Sequence, residues 1–151
     1  MNELDEKKIV IILDHNKENE ELIKSLLNNK GVNITIKDNN IERKIINILT
    51  KLGMPSNIQG HRYLKEALKL SVINSIYYMH PFSNLYPILS RKFNVKNYMI
   101  EKSIRDAISI TWDRGNFDYQ NELFGYTINR EKGKPTNSEF LALISNYLNT
   151  N

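Results

Sequence analysis

Apolar positions along this chain fall into two regimes. In the first, an unbroken β-branched run, Ile9-Val10-Ile11-Ile12-Leu13, reads as a buried strand of the parallel type. Asp14, His15 and Asn16 break it, and Leu22, Ile23, Leu26 and Leu27 then recur at helical spacing over residues 17–29. Gly31 stands just past that helix, where a residue free to turn left-handed closes a helix end. Val32, Ile34 and Ile36 alternate with Asn33, Thr35 and Lys37, the period of a half-exposed strand. Residues 7–38 therefore predict one small β-α-β segment, and Asp38-Asn39-Asn40 a polar linker.

From residue 41 onward the period is helical throughout. Ile41, Ile45, Ile46, Ile48 and Leu49 predict a helix over 41–52, stopped by Gly53-Met54-Pro55. Leu64, Ala67, Leu68, Leu70, Val72 and Ile76 predict a second over 62–78. Further helices are expected over 82–93, 97–115 and 119–124. Thr136 followed by Glu139 is a capping box that opens a last helix. The fold class is thus mostly α, with two parts: residues 1–40, and an all-helical domain over 41–151.

Residues 79–115 carry the pattern of a helix-turn-helix. Two helices crossing steeply need a small residue in the first, a residue tolerant of positive φ at the turn, and apolar inner faces. Ser90 is the small residue, Asn94 the turn residue, and Leu89, Phe93, Val95, Ile100 and Ile104 the apolar locks. The second helix sorts into a core stripe (Ile100, Ile104, Ala107, Ile108, Thr111, Trp112) and an opposite face with Tyr98, Glu101, Lys102, Arg105 and Ser109. Arg or Lys on such a face can bond guanine O6 and N7, and Glu can accept from cytosine N4. The competing reading is a solvated face carrying a Glu101–Arg105 pair one turn apart.

Charge sharpens the division. Residues 1–40 hold six Lys against eight Asp and Glu, a balance of −2, whereas 41–151 hold fifteen Lys and Arg against nine, a balance of +6. A basic C-terminal part suits a polyanionic partner, and equally a well-solvated surface. The chain has no cysteine, which excludes disulfides and thiolate chemistry and fits a reducing cytoplasm. The five-residue apolar run at 9–13 is too short for a signal peptide, and no stretch approaches the roughly 18–20 apolar residues of a membrane span. His15, His61 and His80 fall in separate elements without ligand spacing, so no metal is expected. There is no phosphate-cradling Gly loop and no nucleophile–base pairing, so neither a cofactor nor enzymatic activity is expected.

Residues 41–147 resemble the C-terminal DNA-binding domain of the stage zero sporulation protein A family. The resemblance rests on Gly53-Met-Pro-Ser-Asn-Ile-Gln-Gly60, Tyr63-Leu-Lys-Glu-Ala67, Arg91-Lys-Phe-Asn94, Ile100-Glu-Lys-Ser-Ile-Arg105, Ala107-Ile108 and Trp112-Asp-Arg-Gly-Asn116. Leu123-Phe-Gly-Tyr-Thr127 and Lys134-Pro-Thr-Asn-Ser-Glu-Phe140 continue it in the same order. It implies a six-helix bundle that binds double-stranded DNA at a box with a TGTCGAA-like core, often as tandem dimers, and activates or represses transcription. It also implies that Glu101, Lys102 and Arg105 read bases, with Asn97 and Tyr98 beside them. Arg91, Lys92 and Lys96 are expected on phosphates. From the residues alone, His61, Arg62 and Lys65 at the start of the second helix are either further phosphate contacts or a solvated surface. Lys102 and Met99 stand where the family has arginines, and Lys96 and Asn97 replace a small hydroxyl residue and alanine. Losing one bidentate contact costs about 1–3 kcal/mol, and lysine lacks the fork that arginine offers. After the recognition helix the family touches the sigma subunit of RNA polymerase. That points to Arg114, Asn116, Asp118 and Glu122, while Phe117, Leu123, Phe124 and Tyr126 are expected to be mostly core.

The family's usual N-terminal half is a phosphoreceiver of five β-α repeats, and residues 7–38 resemble only its first β-α-β. Asp14 occupies a place where receivers put Mg²⁺ ligands, but alone it reads better as a helix N-cap. The phosphoacceptor Asp and the later Thr and Lys have no counterpart. Two parallel strands and one helix are marginal alone, and their edges need cover. Pairing of two copies into a homodimer, or packing on the chain's own helical domain, would provide it. The expected function is a sequence-specific transcription regulator of sporulation or stationary-phase genes, cytoplasmic and nucleoid-associated, independent of phosphorylation. The alternative is an antagonist acting by contact with the full-length regulator or polymerase, with weak DNA binding.

Overall fold

The computed structural model describes residues 9–13, 17–27, 32–36, 39–128 and 131–151. The Asp14 cap and the Gly31 stop lie outside the described residues. Two compact units divide the chain, 1–41 and 42–151, with the boundary inside the first turn of the helix Asn39–Leu52.

The first unit holds β1 (Ile9–Leu13), α1 (Lys17–Leu27) and β2 (Val32–Ile36). The strands pair in parallel, from Ile9 opposite Val32 to Leu13 opposite Ile36. Parallel strands cannot be joined by a tight hairpin, so α1 serves as the crossover. Ile23 is buried on α1, whereas Leu22 is half exposed.

The second unit is helical: α2 (Asn39–Leu52), α3 (Gln59–Ile73), α4 (Ile76–Met79), a π-helical turn (Pro81–Leu85), α5 (Tyr86–Phe93), α6 (Asn97–Arg114), α7 (Phe117–Phe124), a 3₁₀ turn (Gly125–Thr127) and α8 (Asn137–Thr150). Asn39 and Asn40, read as linker, are instead the first residues of α2. α3 is the central helix, packed on α6 and α8. It buries Tyr63, Leu64, Ala67, Leu68, Leu70, Val72 and Ile73 around most of its circumference, as a helix enclosed by others must.

The single helix expected over 62–78 is divided. Asn74 turns extended at φ −149°, ψ 126°, and its side-chain oxygen accepts from the Ile76 N–H at 3.1 Å. That local Asx bond offers the backbone an alternative to the helical ladder. Likewise 82–93 opens as a π-turn beginning at Pro81, with the His80 carbonyl accepting from the Asn84 N–H at 3.1 Å. At α8 both capping-box bonds form: Thr136 Oγ1 accepts from the Glu139 N–H at 3.2 Å, and Glu139 Oε2 from the Thr136 N–H at 3.4 Å.

A buried polar clasp fixes the far end of α6. The Asn116 N–H donates to the Leu52 carbonyl at 2.9 Å, and Gln120 Nε2 bridges the carbonyls of Thr111 (2.7 Å) and Leu52 (3.3 Å). A β-carbon on Gly115 would stand 2.4 Å from the Leu52 oxygen, so the close approach requires glycine there.

Candidate nucleic-acid interface

α5 and α6 meet at Asn94, whose φ of 53° and ψ of 49° are left-handed. The N–H groups of Asn94 and Val95 both reach the Ser90 carbonyl, the latter at 3.1 Å. The Ser90 hydroxyl in turn donates to the Val95 carbonyl. Ser90 is therefore more than a small residue; it stitches the turn from both of its oxygens. Leu89, Ile100 and Ile104 are fully buried behind it, with Phe93 and Val95 half-buried.

Two further contacts hold α6 in position. On one side α3 begins against it: a β-carbon on Gly60 would lie 2.2 Å from the Ser103 carbonyl and 2.4 Å from Ala107 Cβ. On the other side Asn137, at the start of α8, donates through Nδ2 to the Glu101 carbonyl at 3.1 Å and to the Tyr86 hydroxyl at 3.0 Å. Burial raises the pKa of that Tyr86 hydroxyl. The core stripe is buried at Ile100, Ile104, Ala107, Ile108 and Thr111. Trp112 is half-buried, edge-on to Phe124 at 4.9 Å and to Phe140 at 6.0 Å.

The opposite face of α6 brings Asn97, Tyr98, Lys102 and Arg105 into the open, with Glu101 half-buried at its edge. Both cations meet carboxylates of their own helix. Arg105 pairs with Glu101 at 3.1 Å, and Lys102 with Asp106 at 2.7 Å. The second pair is equally legible in the sequence as an i, i+4 spacing. Exposed pairs of this kind contribute about 0–1 kcal/mol, so either cation can exchange its carboxylate for an acceptor on a base.

The expected phosphate contacts divide into free and engaged groups. Arg91 and Lys96 are exposed and have no carboxylate partner among the described residues. Arg62 is exposed and lies over the Phe93 ring at 4.7 Å. Lys92 is held by Glu66 at 2.7 Å and Lys65 by Glu42 at 3.1 Å. Lys69 joins the two pairs, at 3.2 Å from Glu42 and 3.1 Å from Glu66. Burial pushes both carboxyls up, but the lysines outweigh it and hold Glu42 and Glu66 below the usual carboxylate range. His61, expected beside these phosphate contacts, is buried; it faces into the bundle one residue after the Gly60 crossing. Burial, aided by Lys65, lowers its pKa.

Arg114, Asn116, Asp118 and Glu122 all lie exposed around the α6–α7 corner. Asn116 has a structural task, since its side-chain oxygen caps α7 by accepting from the Tyr119 N–H at 3.1 Å. Phe124 is buried and Leu123 half-buried, and the side chain of Tyr126 lies outside the described residues. Phe117, expected among the core residues, is 75% exposed. It is the first residue of α7 and borders an open cleft with Trp112 and Gln120 instead of filling it. Among the described residues no group of three metal-ligating side chains converges, and no helix is long and apolar enough to cross a membrane. Residues 45–148 match the protein family described as "Sporulation initiation factor Spo0A C terminal".

Proposed function

This chain belongs to the family of the sporulation initiation factor Spo0A C-terminal domain, and from that premise we propose that it is a sequence-specific DNA-binding transcription regulator. The observation that carries the reading is the left-handed Asn94 turn, which delivers the polar face of α6 on a helix locked from both sides. Inserted into a major groove, the first turns of α6 present Lys102 and Arg105 to guanine O6 and N7. When Arg105 turns to a base, Glu101 loses its partner and becomes free to accept from cytosine N4. Met99, 44% exposed, offers an apolar contact to a thymine methyl in place of a guanine-gripping fork. Arg62, Arg91 and Lys96 hold phosphates, and Lys92 and Lys65 join them by leaving their glutamates.

The test is binding to a TGTCGAA-box duplex and a scrambled duplex over a salt series. Preference for the box that Arg105→Ala abolishes supports the reading. Equal, salt-sensitive binding to both would be electrostatic only. That outcome favours a second reading, an antagonist acting by protein contact, which the carboxylate partners of Lys102 and Arg105 and the apolar Met99 recommend.

In the same proposal, the chain passes from β2 to α2 without the strands that would carry a phosphoacceptor, so the regulator works without phosphorylation. The receiver-like β1-α1-β2 segment pairs with a second copy through its strand edges. Sedimentation at micromolar concentration should then give a dimer, and a monomer would remove this part. Arg114, Asp118 and Glu122 form a surface for the polymerase sigma subunit.

A further inference from the structure

Beyond α7, the loop at 131–136 returns to α6 and places Lys134 Nζ 2.7 Å from Ser109 Oγ. Ser109 follows Arg105 by one helical turn, about 6 Å along the axis, on the same side as Glu101. By the helical period, Glu101, Arg105 and Ser109 lie roughly 180° around α6 from Ser103 and Ala107, where α3 crosses. Lys102 and Asp106 stand between the two sides. The exposed face of α6 is thus edged by α3 along one border and by this loop along the other. Between loop and helix runs a cleft of about 440 Å³, walled by Phe82, Tyr86 and Ile108 and rimmed by Arg105, Lys132 and Lys134.

The partner of Lys134 distinguishes it. Lys92, Lys102 and Arg105 are each met by a carboxylate, whereas Lys134 is held by a neutral hydroxyl. The hydroxyl orients its ammonium, and among the described residues no carboxylate pairs with it. A helix about 10 Å across fills a major groove about 12 Å wide, with a phosphate strand along each border. The α3 and α5 side supplies Arg62, Arg91 and Lys96 to one strand.

We propose that Lys134, supported by Lys132, is the phosphate contact for the opposite strand, so that α6 is gripped along both borders of the groove. The inference rests on the DNA-binding reading above and extends it to a loop outside the helix-turn-helix. Lys134 contributes affinity without sequence preference, because a phosphate is the same at every step.

The experiment measures binding of the full chain to the box and scrambled duplexes over a salt series, for wild type, Lys134→Ala and Lys134→Arg. Lys134→Ala should lower the slope of log K against log salt by about 0.9 and weaken both duplexes by the same factor. Lys134→Arg should restore the slope. An unchanged slope in Lys134→Ala, with wild-type binding intact, overturns this inference and leaves the DNA reading standing. So does a loss confined to the box duplex, which would make Lys134 a positioning residue for Arg105. Absence of salt-sensitive binding in wild type overturns both. An unchanged thermal melting point of Lys134→Ala shows that any loss belongs to the interface and not to the fold.

Discussion

At Asn94 the backbone takes φ 53° and ψ 49°, a region where a β-carbon crowds the next carbonyl oxygen. Asparagine tolerates it better than other residues with a side chain, and glycine tolerates it freely. Asn94→Ala should therefore cost about 1–2 kcal/mol in urea unfolding, while Asn94→Gly should stay close to wild type. Equal losses in both variants would show that the asparagine side chain, and not the turn geometry, is what matters. The turn residue was legible because the asparagine sits between two apolar runs. The work of Ser90 was only half legible: its size follows from the pattern, but its hydroxyl bond to Val95 depends on a turn already formed. Phe117 shows the opposite failure. Its spacing to Gln120 and Phe124 suggests the core, yet its exposure depends on what lies opposite the start of α7.

At the scale of elements, the existence of most helices followed from the 3.6-residue period, and the opening of α8 from its capping box. Interruptions did not. The break after Ile73 rests on one Asx bond from Asn74, which periodicity averages away. The packing of α3 on α6 was also hidden. Gly60 reads as a residue near a helix start, whereas its constraint is the Ser103 carbonyl on a helix far along the chain. Gly60→Ala should push α6 away from α3, at roughly 1–3 kcal/mol of overpacking. Box binding should fall further than stability alone explains, because the whole base-reading face moves. Retained box affinity in a destabilised Gly60→Ala protein would show that α6 takes its position from α5 and α8 instead.

For the whole molecule, the charge division between residues 1–40 and 41–151 was visible at once, but which lysines remain free was not. Pairing of Lys65 and Lys69 with Glu42, and of Lys92 with Glu66, is tertiary. The same network, with buried His61, sets the response to acid. Burial and Lys65 lower the pKa of His61 in the fold, so below about pH 6.5 the unfolded chain binds more protons than the native one. Its stabilisation is complete above that pH and is lost as the pH falls. Glu42 and Glu66, also lowered, add a further loss below about pH 4.3. The melting temperature should fall between pH 7 and about 5.5, and His61→Gln should flatten that fall. A wild-type melting temperature constant over this range would contradict the burial of a neutral His61.

The placement of α6 in a major groove can be probed atom by atom. Replacing a box guanine with 7-deazaguanine removes only the N7 acceptor and leaves base pairing and phosphates intact. Binding of wild type and Arg105→Ala to both duplexes completes a double-mutant cycle. At the guanine that Arg105 reads, the modified base should cost wild type about 1–3 kcal/mol and cost Arg105→Ala nothing further. A wild-type protein indifferent to deazaguanine at every guanine of the box would contradict major-groove reading by this helix.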